Sequence, residues 1–133
     1  MASETIPHTV AIAGIVTRRR RLESLAKSHG LRVFARIDFA ADAAREGLKM
    51  PPMVQLVLGN PKAGTPLLLA APTAGLDLPL EVLVWEDSTG AAWLSYQDPD
   101  ALLQRHHVPS SLFQNIAGIR ALADQALAPE ISR

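Results

Sequence analysis

The sequence predicts an α+β fold: a mainly antiparallel sheet with helices packed on one face. Three observations carry this. Short Leu- and Val-rich segments bounded by Gly, Pro or Asp recur along the chain. Two of them, at residues 80–86 and 91–96, are joined by Asp87-Ser88-Thr89-Gly90, a hairpin connection. Segments with apolar residues at helical spacing fill the gaps, giving the order strand, helix, strand, strand, short helix, strand, strand, helix, helix.

Each element has a local cause. Residues 9–13 read as a strand continuing from Ile6. Ile12, Ile15, Val16, Leu22, Leu25 and Ala26 then recur at helical spacing, giving a helix from about Ala13 or Gly14 to His29, and Gly30 stops it because glycine tolerates a left-handed cap. Residues 31–38 alternate: Leu31, Val33, Ala35 and Ile37 fall on one face, Arg32, Phe34, Arg36 and Asp38 on the other. Residues 40–47 are a connector of one or two helical turns. Pro51-Pro52 forces an extended entry into a central strand at 53–58. Gly59-Asn60-Pro61 breaks that strand. Thr65-Pro66 reads as an N-cap followed by proline at the first helical position, opening a short helix through Ala71. Asp98-Pro99 repeats the device and starts a helix reaching His106, where the His106-His107 pair reads as imidazoles placed favourably at a helix C-terminus. After Pro109, an amphipathic helix runs from about Ser111 to Leu127, with Leu112, Ile116, Ile119, Ala123 and Ala126 on one face.

The totals limit the function. The 133 residues fit one domain, 1–133, and 48% apolar content supplies a core. Thirteen basic and thirteen acidic residues cancel, so the positive field of a nucleic-acid binder is missing, and no nucleic-acid partner is expected. With no cysteine, disulfides and thiolate chemistry are excluded. No apolar run reaches the roughly 18 residues of a membrane span. The basic residues follow the apolar stretch at 9–16 where a secretory signal would have them precede it, so a cytoplasmic protein without a membrane partner is expected.

Several segments resemble the family known as domain of unknown function 302. They are RVFARID at 32–38, LGNPKAGTPLLLAAP at 58–72, LDLPLEVLVWED at 76–87, WLSYQDP at 93–99 and NIAGI at 115–119. The resemblance runs from about Leu22 to Leu127. It implies a β-α-β4-α fold like that of TATA-binding-protein repeats, and a homodimer; it implies no reaction. Relatives often carry His after the Ile-Asp pair, where this chain has Phe39, so no role built on that His transfers here.

Candidate contacts follow from residue chemistry. Asn60 and Lys62 stand at the end of a central strand, where Lys62 can meet an anion beside the N–H groups of a helix opening at Thr65. The competing reading is a structural turn, with Asn60 bonding its own backbone and Pro61 fixing the next φ. Asp38 ends its strand on the face of Phe34 and Arg36. Beside an apolar ring it offers a carboxylate for ligand binding or general acid–base work; the competing readings are a turn cap and a pair with a neighbouring Arg. Asp38, Asn60, Lys62 and Thr65 are thus the ligand-binding candidates. No catalytic set, metal cluster or cofactor motif is recognisable. Arg18–Arg21 spread around a helix as a collar, and Arg19, on the apolar side, has either to snorkel or to pair with an acid. Trp85 shares a strand face with Glu81 and Leu83, opposite Leu80, Val82 and Val84, so something covers both faces: helices on one, and on the other a second subunit or a ligand, with core packing of the rings the competing reading. The leading expectation is a homodimeric binding or interaction module. The alternative is a small-molecule sensor or enzyme with its pocket near Asp38, Asn60 and Lys62.

Overall fold

The computed structural model describes residues 8–12 and 14–127, with side chains from Gly14 to Ala126; the expected strand start at Ile6 lies outside them. Strands β1 (His8–Ile12), β2 (Arg32–Asp38), β3 (Met53–Gly59), β4 (Leu80–Glu86) and β5 (Ala92–Tyr96) form one antiparallel sheet in the order β1-β5-β4-β3-β2. Between and after them come α1 (Ile15–Ser28), α2 (Phe39–Arg45), α3 (Pro61–Ala70), α4 (Pro99–His106) and α5 (Gln114–Leu127). With the short helices set aside, this is β-α-β4-α. Gly14 (φ 74) and Gly30 (φ 76) take the left-handed conformation at the two ends of α1, where the chain reverses out of and into the sheet.

One sheet face carries the core. Leu56, Leu58, Val82, Val84, Leu94 and Tyr96 are buried beneath Leu22 and Ala26 of α1 and Ile119, Leu122, Ala123 and Ala126 of α5. Each of these large aliphatic side chains contributes about 1.5–3 kcal/mol by leaving water. A second cluster joins Leu67 of α3 to Leu102 and Leu103 of α4, Val108 and Ile116, and Leu80 touches both clusters. The α5 face is the one expected, with Leu122 added, but α5 starts at Gln114. Leu112 belongs to a separate 3-10 turn at Ser110–Leu112.

Three expectations are corrected. The alternation of β2 does not hold across the strand, because the register slips at Phe34: Val33 pairs with Leu58, but Ala35 pairs with Val57. Ala35 and Ile37 therefore lie on the face opposite Val33, and Arg36 turns to the helix side, where it meets Glu23 of α1. The helix after β3 opens at Asn60, not Thr65. Asn60 Oδ1 accepts the Lys62 N–H at 3.0 Å, Pro61 fills the first helical position, and Pro66 lies inside the helix. Asp98 stands at the N-cap of α4 but its side chain makes no cap bond; it is held by Arg120 of α5.

The arginine collar has structural partners. Arg18 Nη1 donates to the Ala126 carbonyl at 2.9 Å and Arg21 Nε to that of Gln125 at 3.1 Å. These are last-turn carbonyls of α5, which lack intrahelical donors and sit at the negative end of its dipole. Arg19 Nη1 meets Glu23 Oε2 at 2.6 Å, so of the two readings it takes the acid pairing. Glu23 is only 7% exposed and is shared with Arg36. Among the described residues, no helix is long and apolar enough to cross a membrane.

Candidate functional site

The sheet face away from α1 and α5 is built in rows fixed by the register. Ala35, Val57 and Glu81 form one; Ile37, Gln55, Leu83 and Ser95 the next; Met53, Trp85 and Trp93 the third. None of these residues belongs to either buried cluster. Most are half-buried; Glu81 is exposed and Ser95 buried. Trp85 Nε1 donates to Ser95 Oγ at 2.8 Å and Trp93 Nε1 to Asp87 Oδ2 at 2.9 Å. Both indole N–H groups are thus satisfied within the chain, leaving their rings as apolar surface. Gln55 Nε2 donates to Glu81 Oε2 at 3.0 Å. Partial loss of hydration pushes the Glu81 carboxyl up and the Asp77 charge adds to it, against the Gln55 hydrogen bond.

Asp87 organises the β4–β5 turn. Its Oδ1 accepts Thr89 N–H at 2.8 Å, Thr89 Oγ1 at 2.6 Å and Ala91 N–H at 3.1 Å. These bonds, those from Thr89 and Trp93 foremost, lower its carboxyl to about 2. The turn role expected of it holds.

A cavity of about 230 Å³ opens between the end of β3, the start of β4, α3 and the start of α5. Leu31, Phe34, Leu68, Leu80 and Ile116 supply its apolar wall; Asn60, Thr65 and Asn115 are its polar residues. Asn115 Nδ2 donates to the Ala63 carbonyl at 2.9 Å, tying α5 to α3. Of the four sequence candidates, the cavity brings together Asn60 and Thr65. Lys62 is exposed and outside the lining. Asp38 lies at the far end of the β2–β3 pair, opposite Val54, whereas Arg32 pairs with Gly59 at the Asn60 end. There Asp38 caps α2, its Oδ1 accepting Ala41 N–H at 2.9 Å.

Sequence reasoning missed a third grouping. Thr73 Oγ1 lies 3.0 Å from His106 Nδ1, and His106 Nε2 meets Asp77 Oδ2. Hydroxyl, imidazole and carboxylate in line have the connectivity of a nucleophile, base and orienting acid. Asp77, however, also accepts Arg105 Nη1 at 2.8 Å, a fixed positive charge that weakens its support of an imidazolium. Burial pushes the Asp77 carboxyl up, but hydrogen bonds from His106 and Arg105 outweigh this and hold it below its usual range. The set ties the 3-10 turn at Pro72–Leu76 to α4. The side chain of His106, expected merely to sit favourably at a helix C-terminus, is 6% exposed. The only sequence signal for the set was the His106-His107 pair at that helix end. Among the described residues, no three His, Asp or Glu side chains are grouped to hold a metal.

Comparison with known proteins agrees with this architecture. A family model described as "Domain of unknown function DUF302" matches residues 9–128. The chain belongs to that family. The match starts at residue 9, so it takes in β1 from Thr9 on and the first half of α1, which the sequence resemblance left out. The crystal structure of an uncharacterized conserved DUF302 protein from Bacillus stearothermophilus superposes with a TM-score of 0.75 at 23% identity, covering 92% of this chain and 96% of that one. At that identity the likeness speaks for the fold alone. Two curated relatives are named "Fluoride-specific ion channel FluC 1", from Brucella suis biovar 1 (strain 1330) and Brucella abortus biovar 1 (strain 9-941). Each is 46% identical over 86 residues, which are 65% of this chain and 34% and 32% of those proteins. The chain thus spans about a third of the length of the curated relatives it matches.

Proposed function

We propose that this DUF302 domain is a homodimeric interaction module that pairs through the sheet face bearing Trp85 and Trp93. One observation carries the reading: a half-buried apolar face belongs to neither core of the chain that bears it. Ala35, Ile37, Val57, Leu83, Trp85 and Trp93 are more apolar than a solvated sheet face requires. Five strands about 4.8 Å apart and about six residues long make a face of roughly 500 Å² in projection, more in accessible area. Stable pairs bury about 800 Å² per partner, so this face supplies the larger part of such an interface and its rim the rest. A two-fold pair sets the same face against itself, with Leu83 and the tryptophans near the centre and Glu81 towards the rim.

The free edge at β2 is a poorer docking place. Its register slip bends the strand, and exposed Arg32 and Arg36 flank it. The channel name of the curated relatives belongs to proteins of which the matched segment is a minor part, and the pairing role takes nothing from it.

The test is Leu83→Glu, which places a charge between Gln55 and Ser95 in the middle of the face. The variant should keep the parent's circular dichroism and be monomeric by native mass spectrometry. A variant that pairs as tightly as the parent overturns the reading.

A further inference from the structure

We propose that the cavity at the Asn60 end binds an uncharged small molecule with an apolar, single-ring body and a head that both accepts and donates a hydrogen bond, as a primary carboxamide does. This goes beyond pairing through the sheet face and does not depend on it.

Size comes first. At about 230 Å³ the cavity exceeds the ~150 Å³ at which an apolar protein cavity already takes up benzene. A ring with a small substituent fits; a dinucleotide does not. Charge comes second. No acidic, basic or histidine side chain lines the cavity. A carboxylate or ammonium entering it would shed water and gain no counter-charge, which is strongly unfavourable.

The head group follows from two asparagines whose amide orientation is fixed. Asn60 uses its oxygen to accept the Lys62 N–H, so that atom is Oδ1 and the remaining atom is a donor nitrogen. Asn115 uses its nitrogen to donate to the Ala63 carbonyl, so its remaining atom is an acceptor oxygen. Neither leftover atom bonds another described residue, and the same is true of Thr65 Oγ1. One donor, one acceptor and one hydroxyl in an otherwise apolar wall complement a carboxamide. Phe34, 46% exposed, and Leu68, 38% exposed, line the same cavity and keep apolar surface open to an entering ring.

Gly64 supplies a clean control. It lines the cavity, and a Cβ built there meets no atom within 4 Å. A Cβ at that position therefore enters open space, and Gly64→Leu carries side-chain bulk into it while raising the helix propensity of α3.

The experiment is a titration of the ¹⁵N-labelled chain with benzamide, toluene and benzoate, followed by amide chemical shifts. Benzamide should give saturable shifts at 59–65 and 115–116. Toluene and benzoate should bind at least about tenfold more weakly, as loss of the head-group hydrogen bonds and burial of an unpaired charge imply. Gly64→Leu should abolish the shifts at an undiminished Tm, and Thr65→Val should weaken binding without moving the Tm. Absence of saturation, equal binding of benzoate, or shifts centred on Trp85 and Trp93 overturns the proposal. So does a folded Gly64→Leu chain that binds as the parent does.

Discussion

Trp85 and Trp93 stack across the β4–β5 pair with ring centroids 6.3 Å apart and planes inclined by 27°. They do so on the face that neither core cluster reaches. With their N–H groups already bonded to Ser95 and Asp87, the rings can be covered by a second copy without stranding a donor. Tryptophan emission should therefore shift to the blue as the protein is concentrated through its pairing range. The shift should vanish in Leu83→Glu. Emission that is independent of concentration in a chain shown to pair would place the contact elsewhere.

The cap of α3 is Asn60 and not Thr65. Asn60→Ala should cost about 1 kcal/mol of stability, as losing a side-chain N-cap does. Thr65→Ala, exposed and bonded to no other described residue, should stay within about 0.5 kcal/mol of the parent. Urea denaturation of the two variants separates these values.

Asp87 gives a pH signature. Its carboxyl stands at about 2 in the folded chain against an ordinary 3.8. A group depressed on folding stabilises above its unfolded pKa, and the contribution is lost as pH falls through the folded value. Asp87→Asn should therefore melt below the parent at neutral pH. The gap should narrow below pH 3.8 and close near about 2, read by thermal melts across that range. A gap that persists at the acid end would mean that packing and not charge holds the turn.

Glu23, 7% exposed, sits between Arg19 and Arg36. Glu23→Ala leaves Arg19 with its side chain only 17% exposed and its partner gone, while Arg36 at 52% can turn to water. The expected loss is about 2 kcal/mol, below the full cost of breaking a buried pair because one cation is solvated. Adding Arg36→Ala to Glu23→Ala should cost less than Arg36→Ala does alone, which a double-mutant cycle measures.

Strands β3, β4 and β5 were legible because their Leu and Val runs and the Asp87–Gly90 turn are local signals. The slip in β2 was not, because its residues alternate without a break. It accompanies a tertiary contact: the Phe34 ring lies where Gly59 has no side chain, and a Cβ there would stand 3.2 Å from both the ring and Pro79. Asn60-Pro61 and Thr65-Pro66 obey the same capping rule, so sequence alone does not choose between them. The longer helix both satisfies the Lys62 N–H and buries Leu67. Asp98 looked like a cap because its true partner, Arg120, is 22 residues away. Thr73 and His106 are 33 residues apart, and the carbonyls bonded by Arg18 and Arg21 more than 100, beyond any local pattern. The cavity was half legible. Asn60 and Thr65 line it, while Asn115, read only as part of a helix, completes its polar set.

Sedimentation velocity of the unmodified chain at micromolar concentration tests the pairing role most directly. A single boundary at twice the 14.3 kDa chain mass, returning to one chain mass in Leu83→Glu, is the expected result. A boundary at one chain mass across that range would contradict pairing through the Trp85–Trp93 face.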